Sequence, residues 1–220
     1  MVLMQTLTDR QLALLKRLLF VAALVPAAQL VWAIAFDGLG PNPVETLQRK
    51  TGTWTFNFLL LTLAVTPLRG ISGWHWLIRL RRMLGLYAFF YGTLHFLTFI
   101  GFDHAFDIGE IAKDVVKRPF ATVGFAAWTI MLPLALTSTN RAIRALGGKR
   151  WQALHRSVYA VGILAAFHYF WLVKATALIW PIVYTTLLVA LLGWRAQDRL
   201  RRYGPWPALP KVQTIRFFRR

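Results

Sequence analysis

The stretch Trp151–Trp171, WQALHRSVYAVGILAAFHYFW, sets the reading of the whole 220-residue chain. It places His155 and His168 thirteen residues apart in a segment apolar enough to cross a bilayer. An ionisable side chain inside a membrane span is costly, so it marks a functional site by default. Two imidazoles in one span point to a bound metal or metal cofactor, and the surrounding sequence decides between these.

Working outward, the apolar residues (57% of the chain) fall in long uninterrupted runs, and mean hydropathy is positive. That is the composition of an integral membrane protein rather than a soluble domain. Span 1 is Leu18–Phe36, with Gln29 as its one strongly polar side chain. The basic start and Ala33-Ile34-Ala35 also fit a cleaved signal peptide, but the run is long for one, so a span is expected. Gly38–Pro43 breaks the chain. Span 2 is Thr53–Leu68, ending at Pro67 and Arg69. Span 3 is Met83–Phe102, with His95 its one ionisable residue beyond weakly acidic tyrosines. A mixed-charge connector, Asp103–Arg118, fits a short surface helix. Span 4 is Pro119–Thr137, with Pro133 a kink of the kind membrane helices tolerate. A basic loop leads to the opening stretch as span 5, and span 6 is Ala175–Trp194. Residues 1–17 and 195–220 are the flanking segments, the second basic and proline-containing.

The net charge of +18 would suggest nucleic acid in a soluble protein. Here its placement explains it. With the N-terminus inside, inner segments carry 20 of the 26 Lys and Arg, while six of the eight acids lie outside. The positive-inside rule and anionic lipid account for that distribution without nucleic acid. The expected fold is an all-α six-span bundle with both termini in the cytoplasm.

Depth sorts the histidines. His95 lies thirteen residues past Arg82, and His168 twelve past Arg156, each on an outward-running helix. Both therefore sit roughly 18–20 Å from the inner border. Two imidazoles at one depth on spans 3 and 5 suit bis-histidine ligation of a haem iron. The bland alternative is a packing or proton-path histidine. The absence of cysteine excludes thiolate-bound haem, thiolate-held iron–sulfur clusters and covalent c-type attachment.

His155, beside Arg156, sits near the cytoplasmic surface as either a cofactor contact or a solvated interfacial residue. On an ideal helix it points about 140° away from His168, so a bulge or tightening near Gly162 is needed to aim both at one side. The matching position on span 3 holds Arg81-Arg82 and no histidine, so a second haem lacks an evident partner. Arg81, Arg82, Arg144 and Arg156 suit haem propionates or a flavin phosphate, although membrane anchoring explains any one of them. His75 and His104 lie in connectors and are not expected to be ligands.

Several stretches resemble one family. RRMLGLYAFFYGTLHF, KRPFATVGFAAWTIMLPLALTS and WQALHRSVYAVGILAAFHYFWLVK, with GPNPVETLQRKTGTW and the TPLRG ending span 2, resemble the MsrQ (YedZ) family. The likeness runs from about Gly38 to Gly193. This resemblance implies a ferric-reductase-like transmembrane domain of the bacterial inner membrane, with b-type haem and FMN as cofactors. It implies electron transfer from quinol or a cytoplasmic flavin reductase to a periplasmic molybdenum-cofactor subunit that reduces methionine sulfoxide. His95, His155 and His168 match the family's histidines. Wider relatives carry two histidines on each of two helices, whereas this chain has such a pair on span 5 alone.

The residues after span 6 contain no strand–glycine-turn–helix unit for a dinucleotide. An electron carrier of this build is expected to take both its donor and its terminal catalyst from other proteins. A small proton-coupled transporter with a histidine relay is the competing function, although no acid lies within the spans and no inverted repeat is evident. A structural membrane anchor is a third.

Overall fold

The computed structural model describes residues 7–204, so most of the expected cytoplasmic tail lies outside the described residues. Its helices run in the order α1 (Asp9–Ala35), α2 (Pro43–Ser72), α3 (Arg81–Thr98), α4 (Ile108–Lys117), α5 (Pro119–Leu136), α6 (Asn140–Leu146), α7 (Gly148–His155), α8 (Val158–Leu172) and α9 (Ile179–Tyr203). A 3-10 turn, His75–Arg79, precedes α3, and a π-helical turn, Phe99–Asp103, extends it. No strand occurs among the described residues.

Among the described residues, five helices are long and apolar enough to cross a membrane: α1, α2, α3 with its π turn, α5 and α9. The opening stretch departs from the expectation of one continuous span. Helix α7 ends at His155, and α8 begins at Val158. Between them the Ser157 hydroxyl donates to Leu154 O at 2.7 Å, and the Ser157 and Tyr159 N–H groups donate three residues back. A serine that competes with the helical ladder, together with i→i+3 bonding, tightens and breaks a helix in this way. Helix α8 is therefore 15 residues long, a rise of about 22 Å. The estimate of 140° between His155 and His168, and the bulge invoked near Gly162, do not apply across that break. Gly162 remains helical, lying against Leu188 of α9.

Helix α2 also runs beyond its expected end, through Pro67 to Ser72, and is closed by Gly73 at φ 72°. A proline removes the N–H that would pair with the carbonyl four residues earlier, here Leu63. Arg195, on α9, donates Nη2 to Leu63 O and Nη1 to Leu191 O at 3.0 Å. The guanidinium supplies what Pro67 withholds, and the helix continues. Helix α9 likewise passes the expected boundary at Trp194 and carries the chain on to Tyr203.

The core is a layer of aromatic and branched side chains between α2 and α3, with α8 and α9 closing it. Leu63 and Tyr91 are fully buried. Phe58 stacks on Tyr87 and Tyr91 at 5.4 and 5.3 Å, and Trp54 lies 6.2 Å from Tyr91. Helix α1 is attached differently. Tyr87 OH donates to Phe20 O, while Tyr91 OH donates to Ala23 O at 2.7 Å and accepts from Ala27 N–H at 3.1 Å. The Tyr91 hydroxyl is thus bonded into the backbone of α1 beside Pro26, and most of α1's large apolar side chains remain exposed.

Candidate haem site

His95 lies in the last turn of α3 and His168 in the last turns of α8. The fold brings their rings to 6.0 Å between centroids, with planes at 80°. Equal depth along separate spans was the sequence argument for pairing them, and the packing realises that proximity.

Each ring is held from behind by a neighbouring helix. His95 Nδ1 lies 3.1 Å from Gln48 O on α2, and His168 Nδ1 lies 2.8 Å from Phe120 O on α5. A carbonyl can only accept, so in each neutral ring Nδ1 carries the proton and Nε2 the lone pair. Thr51 agrees with this: its hydroxyl donates to Leu47 O and turns its own lone pairs toward His95 Nδ1 at 3.4 Å. A donor bond at one ring nitrogen that fixes the other as ligand is the usual support of a metal-bound histidine.

Two glycines make room for these rings. A Cβ on Gly124 would stand 2.7 Å from His168 Cε1, and one on Gly52 would stand 3.3 Å from His95. A methyl group at 124 cannot coexist with the imidazole as placed, whereas at 52 the ring need yield by only a few tenths of an ångström. Helices α2 and α5 therefore repeat one arrangement, with a glycine under the ring and a carbonyl on Nδ1. Gly52, Gly124, Gln48 and Phe120 were not identified from the sequence. The one signal was a glycine inside span 4 and another just ahead of span 2, which does not say what either faces.

The residues present would suit a haem held through two imidazoles. His168 Nε2 is buried without a hydrogen-bonding partner, an arrangement that costs stability unless something occupies the lone pair. If a haem is bound, His95 and His168 would hold it, one from each side, with the Nε2 lone pairs that their Nδ1 bonds leave over. Among the described residues no three His, Cys, Asp or Glu side chains converge on a metal position. The donor set is thus two imidazoles, which suits an iron already held by a macrocycle.

His155 is built differently. It closes α7, outside α8, and stacks on Trp151 at 3.9 Å. Its Nε2 lies 3.0 Å from Thr137 Oγ1, which itself donates to Pro133 O at 2.6 Å. A hydroxyl has one proton, so Thr137 accepts from His155 Nε2–H, and the lone pair of this ring is on Nδ1. Trp151 Nε1 donates to Thr137 O at 2.9 Å, which closes the cluster. Burial, and then the charge of Arg81, lower the His155 pKa below the ordinary histidine range. The imidazole is neutral at neutral pH.

Of the expected basic contacts, Arg82 donates to Asn140 Oδ1 at 2.8 Å. Arg81, Arg144 and Arg156 form no salt bridge among the described residues. His75 lies in the 3-10 turn. His104 follows the π turn after α3, with Nδ1 bonded to Phe99 O at 3.1 Å and Nε2 3.2 Å from Asp114. Neither histidine joins the pair.

The described residues form an all-helical membrane bundle that brings two neutral imidazoles together between its helices, with the Nε2 of His168 buried and unpartnered. The family described as ferric reductase like transmembrane component matches residues 51–166, from the turn beneath His95 to two residues before His168. A protein of Azospira oryzae named protein-methionine-sulfoxide reductase heme-binding subunit MsrQ is 56% identical over 216 residues, covering 97% of this chain and 93% of the relative. Proteins of the same name from Herminiimonas arsenicoxydans and Xanthomonas oryzae pv. oryzae are 55% and 42% identical. They cover 83% and 93% of this chain and 84% and 99% of their own lengths. The chain belongs to the MsrQ family of ferric-reductase-like transmembrane proteins.

Proposed function

We propose that this chain is a membrane cytochrome b, the haem-binding subunit of a methionine-sulfoxide reductase system in the bacterial inner membrane. His95 and His168 hold a haem b through their Nε2 atoms. The observation that carries this reading is the pair of rings with Nδ1 protons tied to Gln48 O and Phe120 O and Nε2 lone pairs left over. When bound, the haem supplies one-electron redox chemistry. Gly52 and Gly124 let the rings seat against their helices, and the carbonyls fix the tautomer that ligation needs.

Six spans lie between residues 18 and 194, with segments 1–17 and 195–220 in the cytoplasm and α8 as the short fifth span. Electrons enter from quinol or from a cytoplasmic flavin reductase and leave to a periplasmic molybdenum-cofactor subunit that repairs oxidised methionine in proteins. At the inner border, Arg81, Arg144 and Arg156 lack acidic partners among the described residues. That donor set suits a propionate or the phosphate of FMN, with His155 and Arg82 beside it. Terminal catalysis belongs to the partner subunit.

Detergent-purified full-length protein tests this reading. It is expected to give a b-type pyridine haemochrome and a Soret band that dithionite reduces. The reduced protein is expected to be reoxidised by the partner subunit with methionine sulfoxide present. Colourless protein whose vesicles take up protons in a histidine-dependent way would overturn it in favour of a carrier.

A further inference from the structure

Midway along α1 the Tyr87 and Tyr91 hydroxyls of α3 bond to its backbone, and beyond them α1 leaves a cavity on its outer half. That cavity, about 230 Å³, is lined by Pro26, Gln29 and Leu30 of α1 and by Arg49, Lys50, Thr53 and Trp54 of α2. Its chemistry is split. Pro26, Leu30 and the Trp54 ring give an apolar wall, while a carboxamide, a hydroxyl, a guanidinium and an ammonium give hydrogen-bond donors.

Charge decides the occupant. Arg49 is paired with Glu45 at 2.9 Å, whereas Lys50 forms no ion pair among the described residues. Gln29 is the one strongly polar side chain in the apolar run of α1. A carboxamide facing hydrocarbon without a partner costs several kcal/mol, so a donor and acceptor at this place need an occupant that bonds them. Trp54 lies one turn deeper than Lys50, the order of a headgroup-level cation above an interfacial indole. A phosphodiester accepts from every donor in the cavity, and its glycerol and acyl chains continue along the apolar wall. A net cation at the site favours a headgroup without a compensating positive charge.

We infer that the cavity between α1 and α2 binds the phosphate of an anionic phospholipid of the outer leaflet, with Lys50, Gln29 and Thr53 as its contacts. The lipid joins α1 to the bundle at the level where hydroxyl bonding from α3 has ended. It also sits on the opposite face of the α2 turn whose Gln48 carbonyl, Thr51 and Gly52 touch His95. One turn of α2 therefore has a histidine seat on one side and a lipid seat on the other.

The test uses full-length protein in nanodiscs of mixed phosphatidylglycerol and phosphatidylcholine, released into mild detergent for native mass spectrometry. Wild type is expected to retain phosphatidylglycerol in preference to phosphatidylcholine. Lys50→Gln is expected to lower that retention about fivefold, the usual effect of one basic residue near a membrane surface. Lys50→Arg should keep it, and Gln29→Leu, placed on the other helix, should lower it too. Equal retention of the two lipids, or wild-type retention in both Lys50→Gln and Gln29→Leu, would overturn the assignment. Displacement of the lipid by inorganic phosphate would do so as well, because the site would then serve a free anion. The Soret band, read on the same samples, separates this result from the proposed function: selective lipid retention by colourless protein leaves the lipid site standing and removes the electron-carrier reading.

Discussion

The outer histidine pair and the inner histidine use one side chain in opposite ways. At His95 and His168 a backbone carbonyl takes the Nδ1 proton and leaves Nε2 bare. At His155 a threonine hydroxyl, already committed as a donor to Pro133 O, takes the Nε2 proton and leaves Nδ1. The outer rings rest on glycine and face each other; the inner ring rests on tryptophan. An imidazole's role in this bundle is therefore set by what holds its back nitrogen. Histidine count and spacing along the chain do not reveal that.

Removing ligands is the harshest way to break this contrast. His95→Ala and His168→Ala are each expected to abolish the outer haem, read as loss of the dithionite-reducible Soret band. His155→Ala is expected to leave that band in place. Equal loss in all three variants would show that the inner and outer histidines serve one site.

The supports come next. Gly124→Ala places a methyl 2.7 Å from the His168 ring and is expected to lower haem affinity roughly 10–100-fold, the usual cost of disturbing a ligand's support. Gly52→Ala, at 3.3 Å from His95, should show a clearly smaller loss in the same haem titration. A reversed order would mean that α2, not α5, is the stiffer backing.

Arg195→Leu leaves Leu63 O without its side-chain donor beneath Pro67. The expected loss is about 1–3 kcal/mol of stability, measured as a lowered thermal midpoint with the Soret position unchanged. A Soret shift would mean that this inner arginine also senses the haem.

The smallest effect concerns protons. Burial and then Arg81 depress the His155 pKa, so the folded protein binds that proton less readily than the unfolded chain. Acidification through the ordinary histidine range therefore costs stability until the folded pKa is passed, and the contribution is fully present at higher pH. Arg81→Gln should raise the pKa of His155 and move the acid loss upward, as followed by imidazole NMR. No change would remove Arg81 from the His155 environment.

Much of the architecture was legible because membrane physics writes it in long runs. Uncharged stretches gave five of the helices, and counting residues from Arg82 and Arg156 singled out His95 and His168, whose rings lie 6.0 Å apart. What escaped the sequence depends on partners distant along the chain. Pro67 and Arg69 looked like an end to span 2 because the donor that rescues Leu63 O comes from residue 195. The opening stretch looked like one helix because Ser157 is compatible with a helix until its hydroxyl turns back to Leu154. Gly52 and Gly124 carried no message without knowing which ring lies over them, and the lone pair of His155 was hidden until Thr137 was placed.

The Arg195–Leu63 bond also imposes an order on biogenesis. Donor and acceptor are 132 residues apart in the chain, so at a synthesis rate of roughly 5–20 residues per second the Leu63 carbonyl waits about 7–26 s for its arginine. During that interval α2 enters the bilayer with a gap in its ladder, and a bare carbonyl in hydrocarbon is strongly unfavourable. Arg195 can reach Leu63 only once α9 has been made, so the inner end of α2 acquires its folded hydrogen bonding late in synthesis.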